Sequence, residues 1–229
     1  MNIALIVAAG TGSRMGKDVP KQFLLVNNKP VLVYTLEAFN QNEDITAIYV
    51  VTSLDYINYV KDLCGQYKLN KVVDVIKGGT TRQESVYNGL KVIKANEEDI
   101  ILIHDAARPL VSQDIIKNNI EACLNYDAVE TVIKASDTII NSLDGRKINN
   151  IPSRNELYQT QTPQTFKYGL ILKAHEKALK EQLPNVTDDA KLVVSLGKDV
   201  HLVEGNKQNY KITTSDDLMI FEALTKKIQ

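Results

Sequence analysis

The chain has 229 residues, 44% hydrophobic and 24% charged, with 27 Lys and Arg against 28 Asp and Glu for a net charge of −1. That length can bury one sizeable core in ordinary globular proportions. Near-neutral charge without basic runs excludes nucleic acid as the main ligand, and no stretch reaches the roughly 20 apolar residues that a membrane helix needs. Residues 3–9 are too few for a secretory signal and follow no basic segment, so the expected compartment is the cytoplasm. Cys64 and Cys123 lack metal spacing and read as buried free thiols.

The first expected element is a strand at 3–8, which enters a glycine loop carrying Gly10, Gly12 and Gly16. Arg14 sits inside the loop and Lys21 just beyond it. From Met1 to Lys29 there are four cations (Arg14, Lys17, Lys21 and Lys29) against one anion, Asp18. Glycines let backbone approach a ligand, exposed N–H groups attract oxyanions, and the cations neutralise charge. The pattern points to a triphosphate site. It is not a P-loop: one residue too many separates Gly10 from Gly16, and Asp18 stands where a hydroxyl should bind magnesium. Nor is it a dinucleotide fingerprint, because the third glycine comes one residue late and Pro20 interrupts a following helix. The plainer reading is a strand-to-helix connection without a ligand.

Further strands are expected at 47–52, 71–76, 99–103, 128–133 and 200–204, with helices at 31–39, 55–67, 82–94, 112–125, 169–181 and 188–196. β-branched runs without polar alternation indicate strands covered on both faces. The alternation predicts an α/β fold with a mostly parallel sheet and helices on both sides. Ser112 and the Thr187-Asp188-Asp189 run are candidate helix caps. Residues 134–156 break the rhythm. Asp144-Gly145 separates two short extended runs, 138–142 and 147–151, and reads as a hairpin off the core or a surface loop. An isolated hairpin is marginal in water, so it is expected to pack against something, a second subunit included. The chain reads as a single domain over 1–229 with 134–156 as an arm.

In chain order, Gly78-Gly79-Thr80-Thr81 opens a helix whose free N–H groups and hydroxyls can read polar base edges; a capping box of Thr81 with Glu84 explains it nearly as well. His104-Asp105-Ala106-Ala107-Arg108 follows a strand, at the edge where open α/β sheets bind ligands. Asp105 can hold a ribose hydroxyl or magnesium and Arg108 a phosphate, unless the pair only fixes the turn. His104 reads as a structural turn residue. Gln161-Thr162-Pro163-Gln164 is expected in a loop. Asp188 and Asp189 read as a cap rather than paired catalytic acids, because adjacent helical residues do not face one another. Lys211 lies near a strand end and is either functional or merely solvated. No nucleophile elbow, Ser-His-Asp arrangement or zinc spacing occurs. That suits a reaction in which a phosphate monoester, already anionic at neutral pH, attacks another phosphorus without a general base.

Taken together, AAGTGSRMG with PKQF, GGTTRQESV, HDAARP, QTPQTF, VTDDA and VEGNKQNYKIT occur in order over almost the whole chain. This set resembles the polyol-phosphate cytidylyltransferases that act on 2-C-methyl-D-erythritol 4-phosphate and on ribitol 5-phosphate. The resemblance implies a Rossmann-like, glycosyltransferase-A type nucleotidyltransferase fold with a protruding β-arm, and a homodimer that exchanges the arm. It implies CTP and a polyol phosphate as partners, Mg²⁺ as the cofactor, and CDP-polyol and pyrophosphate as products. It carries cytosine contacts onto Ala8, Ala9, Gly79, Thr80 and Ser85, and triphosphate contacts onto Gly10, Gly12, Arg14 and Lys21. Asp105 falls on the ribose and metal side. Arg108, Thr138, Arg154, Thr162, Thr187 and Lys211 fall around the second substrate or the transferring phosphorus, with Arg14, Lys21 and Lys211 as the catalytic cations. Ser136 stands before Asp137-Thr138 where the methylerythritol branch commonly has a basic residue, which favours ribitol 5-phosphate and a surface-polymer role. The alternative is methylerythritol phosphate and isoprenoid biosynthesis. A non-catalytic nucleotide-binding module is a more distant alternative.

Overall fold

The computed structural model describes residues 1–10, 19–181 and 186–226. Its main sheet has seven strands: β1 (Asn2–Ala8), β4 (Ala47–Thr52), β5 (Val72–Lys77), β6 (Ile100–Asp105), β7 (Ala128–Lys134), β8 (Tyr158–Lys167) and β9 (His201–Glu204). They lie in the order β5-β4-β1-β6-β8-β7-β9. The β1–β4, β1–β6, β4–β5 and β7–β9 pairs are parallel; only β8 runs against its neighbours. Leu25–Val26 (β2) and Lys29–Pro30 (β3) form a separate small ladder.

Helices cover both faces, as the apolar strands require. On one face, Ala4 and Ile6 of β1 pack with Leu36 and Phe39 of α1 (Val31–Gln41), Val60 of α2 (Ile57–Gln66) and Ile116 of α4 (Gln113–Tyr126). On the other, Ile3 and Leu5 meet Leu90 of α3 (Arg82–Val92), Ile171 of α5 (Tyr168–Lys180) and Val193 of α6 (Asp189–Ser195). Ile3, Ala4, Leu5 and Ile6 are all fully buried, so β1 has no solvent face. Ser112 caps α4 by accepting from the Ile115 N–H, and Asp188 caps α6 by accepting from Ala190 and Lys191, as expected.

Four features differ from expectation. The 161–164 segment is not a loop but the inner part of β8, buried from Gln161 to Phe166. Its polar side chains hid it: Gln161, Thr162, Gln164 and Thr165 are satisfied by hydrogen bonds instead of apolar packing. A further helix, α7 (Ser215–Thr225), closes the described chain with a capping box of Thr214 and Asp217. Cys64 is only half-buried, although both cysteines are free thiols that burial pushes up, Cys64 to about 11 and Cys123 to about 12. In the arm, the backbone turns at Asp144-Gly145, where the Asp144 carboxylate accepts from the Arg146 and Lys147 N–H groups. The expected ladder reduces to one bridge, Asn141 with Asn150. Ile140, Leu143, Ile148 and Ile151 stay exposed, so none of the described residues supplies the face an extended ladder would pack on.

Candidate active site

The parallel strands bring the chemistry to one edge. The carboxyl ends of β1 and β6, the start of α3 and the connection after β9 enclose a cleft of about 330 Å³. Its uncharged wall comes from Ala8 at the end of β1 with Ala9 and Gly10 after it, and from Gly79, Thr80 and Ser85 at the start of α3. The two turns touch: a Cβ at Gly78 would stand 2.6 Å from the Ala9 side chain, so glycine permits this approach. Gln22 fastens the turn after β1, donating through Nε2 to the carbonyls of Ala8 (2.6 Å) and Gly10 (2.9 Å).

The α3 turn is held by its own hydroxyls. Ser85 Oγ accepts from the Gly79 N–H at 3.1 Å and donates to the Thr81 carbonyl at 2.8 Å. Thr81 caps α3 by accepting from the Glu84 N–H. The expected capping box is only half made, because the Glu84 carboxylate turns to the Thr80 N–H and Oγ1, both at 2.7 Å. Those hydrogen bonds hold the Glu84 carboxyl below its usual range.

The charged wall is built around Asp105. Lys211 Nζ lies 2.7 Å from Oδ2, Arg82 Nε 3.4 Å from Oδ1 and Arg108 Nε 3.9 Å from Oδ2. Burial alone would push this carboxyl up. The charges of Lys211 and Arg82, with the Lys211 hydrogen bond and Arg108, overcome it and hold the group ionised far below the usual carboxylate range. Lys211 is placed by its neighbours: Ile212 is fully buried and its N–H donates to the Ala107 carbonyl, while Asn209 Nδ2 donates to Gln161 Oε1 and to the Thr162 carbonyl. Beneath Asp105, Thr162 Oγ1 accepts from the Asp105 N–H at 3.1 Å and pairs with His104 Nδ1 at 3.0 Å. His104 Nε2 in turn faces the Arg108 carbonyl at 3.1 Å. Burial drives the His104 imidazole down to about 4, so it is neutral and serves as a pin for the turn.

Of the residues expected in a site, Ala8, Ala9, Gly10 and Lys21 meet Gly79, Thr80 and Ser85 here, with Asp105 and Lys211 opposite. Gly12 and Arg14 lie outside the described residues. Arg108 stands behind Asp105 and donates to the carbonyls of Asn209 and Thr160. Thr162 does not line the cleft; it is buried and its hydroxyl is engaged by His104 and the Asp105 N–H. Thr138, Arg154 and Thr187 are exposed and do not line the cleft either. Arg154 donates to the Ser136 carbonyl at 3.3 Å. Sequence reasoning missed Gln22 and Arg82. Both sit inside quoted motifs, PKQF and GGTTRQESV, so their polar character within otherwise structural segments was the available signal.

Glycine turns facing a cation-ringed carboxylate, at the carboxyl edge of a mostly parallel sheet, can take a phosphorylated ligand, as a nucleotidyltransferase requires. Comparison with known proteins narrows the class. The chain belongs to the family described as IspD: 2-C-methyl-D-erythritol 4-phosphate cytidylyltransferase, whose model matches residues 2–227. A protein of that name from Clostridium botulinum (strain Okra / Type B1) is 46% identical over 228 residues, covering 99% of this chain and 98% of its own. Among solved structures, 4-diphosphocytidyl-2C-methyl-D-erythritol synthase from Anaerococcus prevotii DSM 20548 matches with a TM-score of 0.87 at 31% identity, over 99% of this chain and 96% of that one. The 2-C-methyl-D-erythritol 4-phosphate cytidylyltransferase from Thermus thermophilus matches with a TM-score of 0.78 at 31% identity, over 99% and 100%. The chain is therefore a cytidylyltransferase. The preference for ribitol phosphate, CDP-ribitol and a surface polymer finds no support in these matches, which carry the methylerythritol name that the sequence reading held as its alternative. Among the described residues, no helix is long and apolar enough to cross a membrane.

Proposed function

We propose that the protein transfers the cytidylyl group of CTP to 2-C-methyl-D-erythritol 4-phosphate, releasing pyrophosphate, in isoprenoid biosynthesis. The observation that carries this reading is the cleft in which Gly10 and Gly79 face Asp105, Lys211 and Lys21, within a chain matched along nearly its whole length by that family. Cytosine lies against Ala8, Ala9, Gly79 and Thr80, the ribose near Asp105, and the phosphates toward Gly10 and Lys21, and the family resemblance assigns Gly12 and Arg14 to the phosphates as well. The polyol phosphate oxygen attacks the α-phosphorus, and the bond from that phosphorus to the pyrophosphate oxygen breaks in line. No general base is needed, since the attacking monoester is already anionic. Lys21 and Lys211 bear on the charge that builds at the transferring group. A reaction that consumes CTP suits the cytoplasm.

Mg²⁺ fits this donor set. No cluster of three or more His, Cys, Asp or Glu occurs among the described residues, and Asp105 is the one acid lining the cleft among them. Magnesium is commonly held by one carboxylate together with substrate phosphates. When bound, it would neutralise phosphate charge; Asp105 is the protein group that would hold it.

A homodimer through the arm suits the exposed Ile140, Leu143, Ile148 and Ile151. It would also bring Thr138 and Arg154 to a partner's cleft, which accounts for their distance from their own.

The test is pyrophosphate release from CTP and Mg²⁺ with methylerythritol phosphate and, separately, ribitol 5-phosphate. A higher kcat/KM for the first supports the reading; a higher value for the second reverses the substrate assignment.

A further inference from the structure

Asp189, at the start of α6, is 1% exposed and lies outside the cleft. It is nevertheless tied to it. Its Oδ2 accepts from Arg82 Nη1 at 2.6 Å, and the same guanidinium reaches Asp105 through Nε at 3.4 Å. Its Oδ1 accepts from Nε2 of His175, a fully buried residue of α5, at 3.0 Å. Its backbone N–H donates to Gln164 Oε1 at 3.2 Å, and Gln164 Nε2 is held by Glu130 Oε1 and Asp188 Oδ1, both at 2.8 Å. The Asp189 carboxylate is thus immobilised from α3 and α5, and its backbone from β8.

A guanidinium is planar and its donors have fixed relative directions. Gripping Nη1 at Asp189 therefore dictates where Nε points. Arg82 takes one Asp105 oxygen and Lys211 the other, which sets the rotation of the carboxylate at the cleft wall. Without Asp189, Arg82 would have one anchor in place of two, and its hold on Asp105 Oδ1 would loosen, while Lys211 and Arg108 keep their places at Oδ2. Part of the nucleotide's binding energy would then go into restoring that order.

We propose that Asp189 is a positioning residue for cytidylyl transfer, acting through Arg82 to orient Asp105 for the nucleotide. The proposal rests on CTP occupying this cleft. Neither residue was among the expected contacts, and Asp189 itself touches no substrate.

The experiment is calorimetric titration of CTP with magnesium, together with steady-state KM values, for the wild-type protein, Asp189→Asn, Arg82→Lys and the double variant. Asp189→Asn preserves size and removes the charge; Arg82→Lys keeps the charge but cannot span both carboxylates. Each should weaken CTP binding roughly tenfold while leaving KM for the polyol phosphate within about twofold, and the double variant should lose no more than either alone. Folded Asp189→Asn with a lowered Tm but wild-type CTP affinity would overturn the proposal, as would losses that multiply in the double variant. Should Asp189→Asn fail to fold, unchanged CTP affinity in Arg82→Lys overturns it by itself. A wild-type protein that binds no CTP removes the nucleotide reading and this proposal together; tight wild-type binding retained by the variants removes this proposal alone.

Discussion

Lys211 and Asp105 meet at 2.7 Å across the end of the sheet, joining the connection after β9 to the carboxyl end of β6. The pair sets the charge of the cleft before any ligand arrives. Asp105 stays ionised, and the ammonium stands where a phosphoryl group can compete for it.

Replacing Lys211 with alanine should therefore impair chemistry more than stability, since its side chain is about one-third exposed (34%). Turnover with saturating substrates is expected to fall on the order of 10²-fold. Lys21→Ala should lower turnover likewise. Near-normal kcat in both, read by pyrophosphate release, would remove the electrostatic role assigned to them.

Thr162→Val tests the support under Asp105. The change keeps the shape but leaves the Asp105 N–H and His104 Nδ1 without the hydroxyl that joins them. A buried donor left unmade costs about 1–3 kcal/mol, which urea unfolding would register. A stability equal to wild type would mean that water replaces the hydroxyl.

Glu130 gives stability a pH dependence. Burial and the nearby Asp188 push its carboxyl from 4.5 to about 8. The folded state thus holds a proton that the unfolded chain releases near 4.5. The stabilising contribution is complete below that value and is lost as pH rises through about 8. Glu130→Gln mimics the protonated form and removes the titration, so its Tm should gain on wild type from pH 5 to about 8 and level off above that. Parallel Tm curves for the two proteins would show that Glu130 stays ionised when folded.

Gly78→Ala places a methyl where the Ala9 side chain stands, at 2.6 Å. The α3 turn must then move away from the turn after β1. KM for CTP is expected to rise while overpacking costs about 1–3 kcal/mol in stability. An unchanged KM would show that the nucleotide does not depend on this approach.

The sequence was most legible where strands are apolar and turns carry glycine. β1, β4 and β6 needed only the run of β-branched residues, and the turns that line the cleft only their glycines. β8 was invisible by that criterion, because Gln161, Thr162, Gln164 and Thr165 are buried through hydrogen bonds. Arg82 was equally hidden: in sequence it is a solvated residue at the start of a helix, and only the packing of α6 against α5 brings Asp189 to it. The inference from Ser136 finds no support in the family match, which carries the methylerythritol name.

The polar strand between β6 and β7 has a mechanical consequence. β8 is keyed, with Gln161 locked to Asn206 and Asn209, Thr162 to His104, Gln164 to Glu130 and Asp188, and Thr165 to Asn119. A slip of one residue would open every lock together and flip each side chain to the opposite face. The ground on which Asp105 and Lys211 stand is consequently all-or-none: it assembles in one alignment or gives no site.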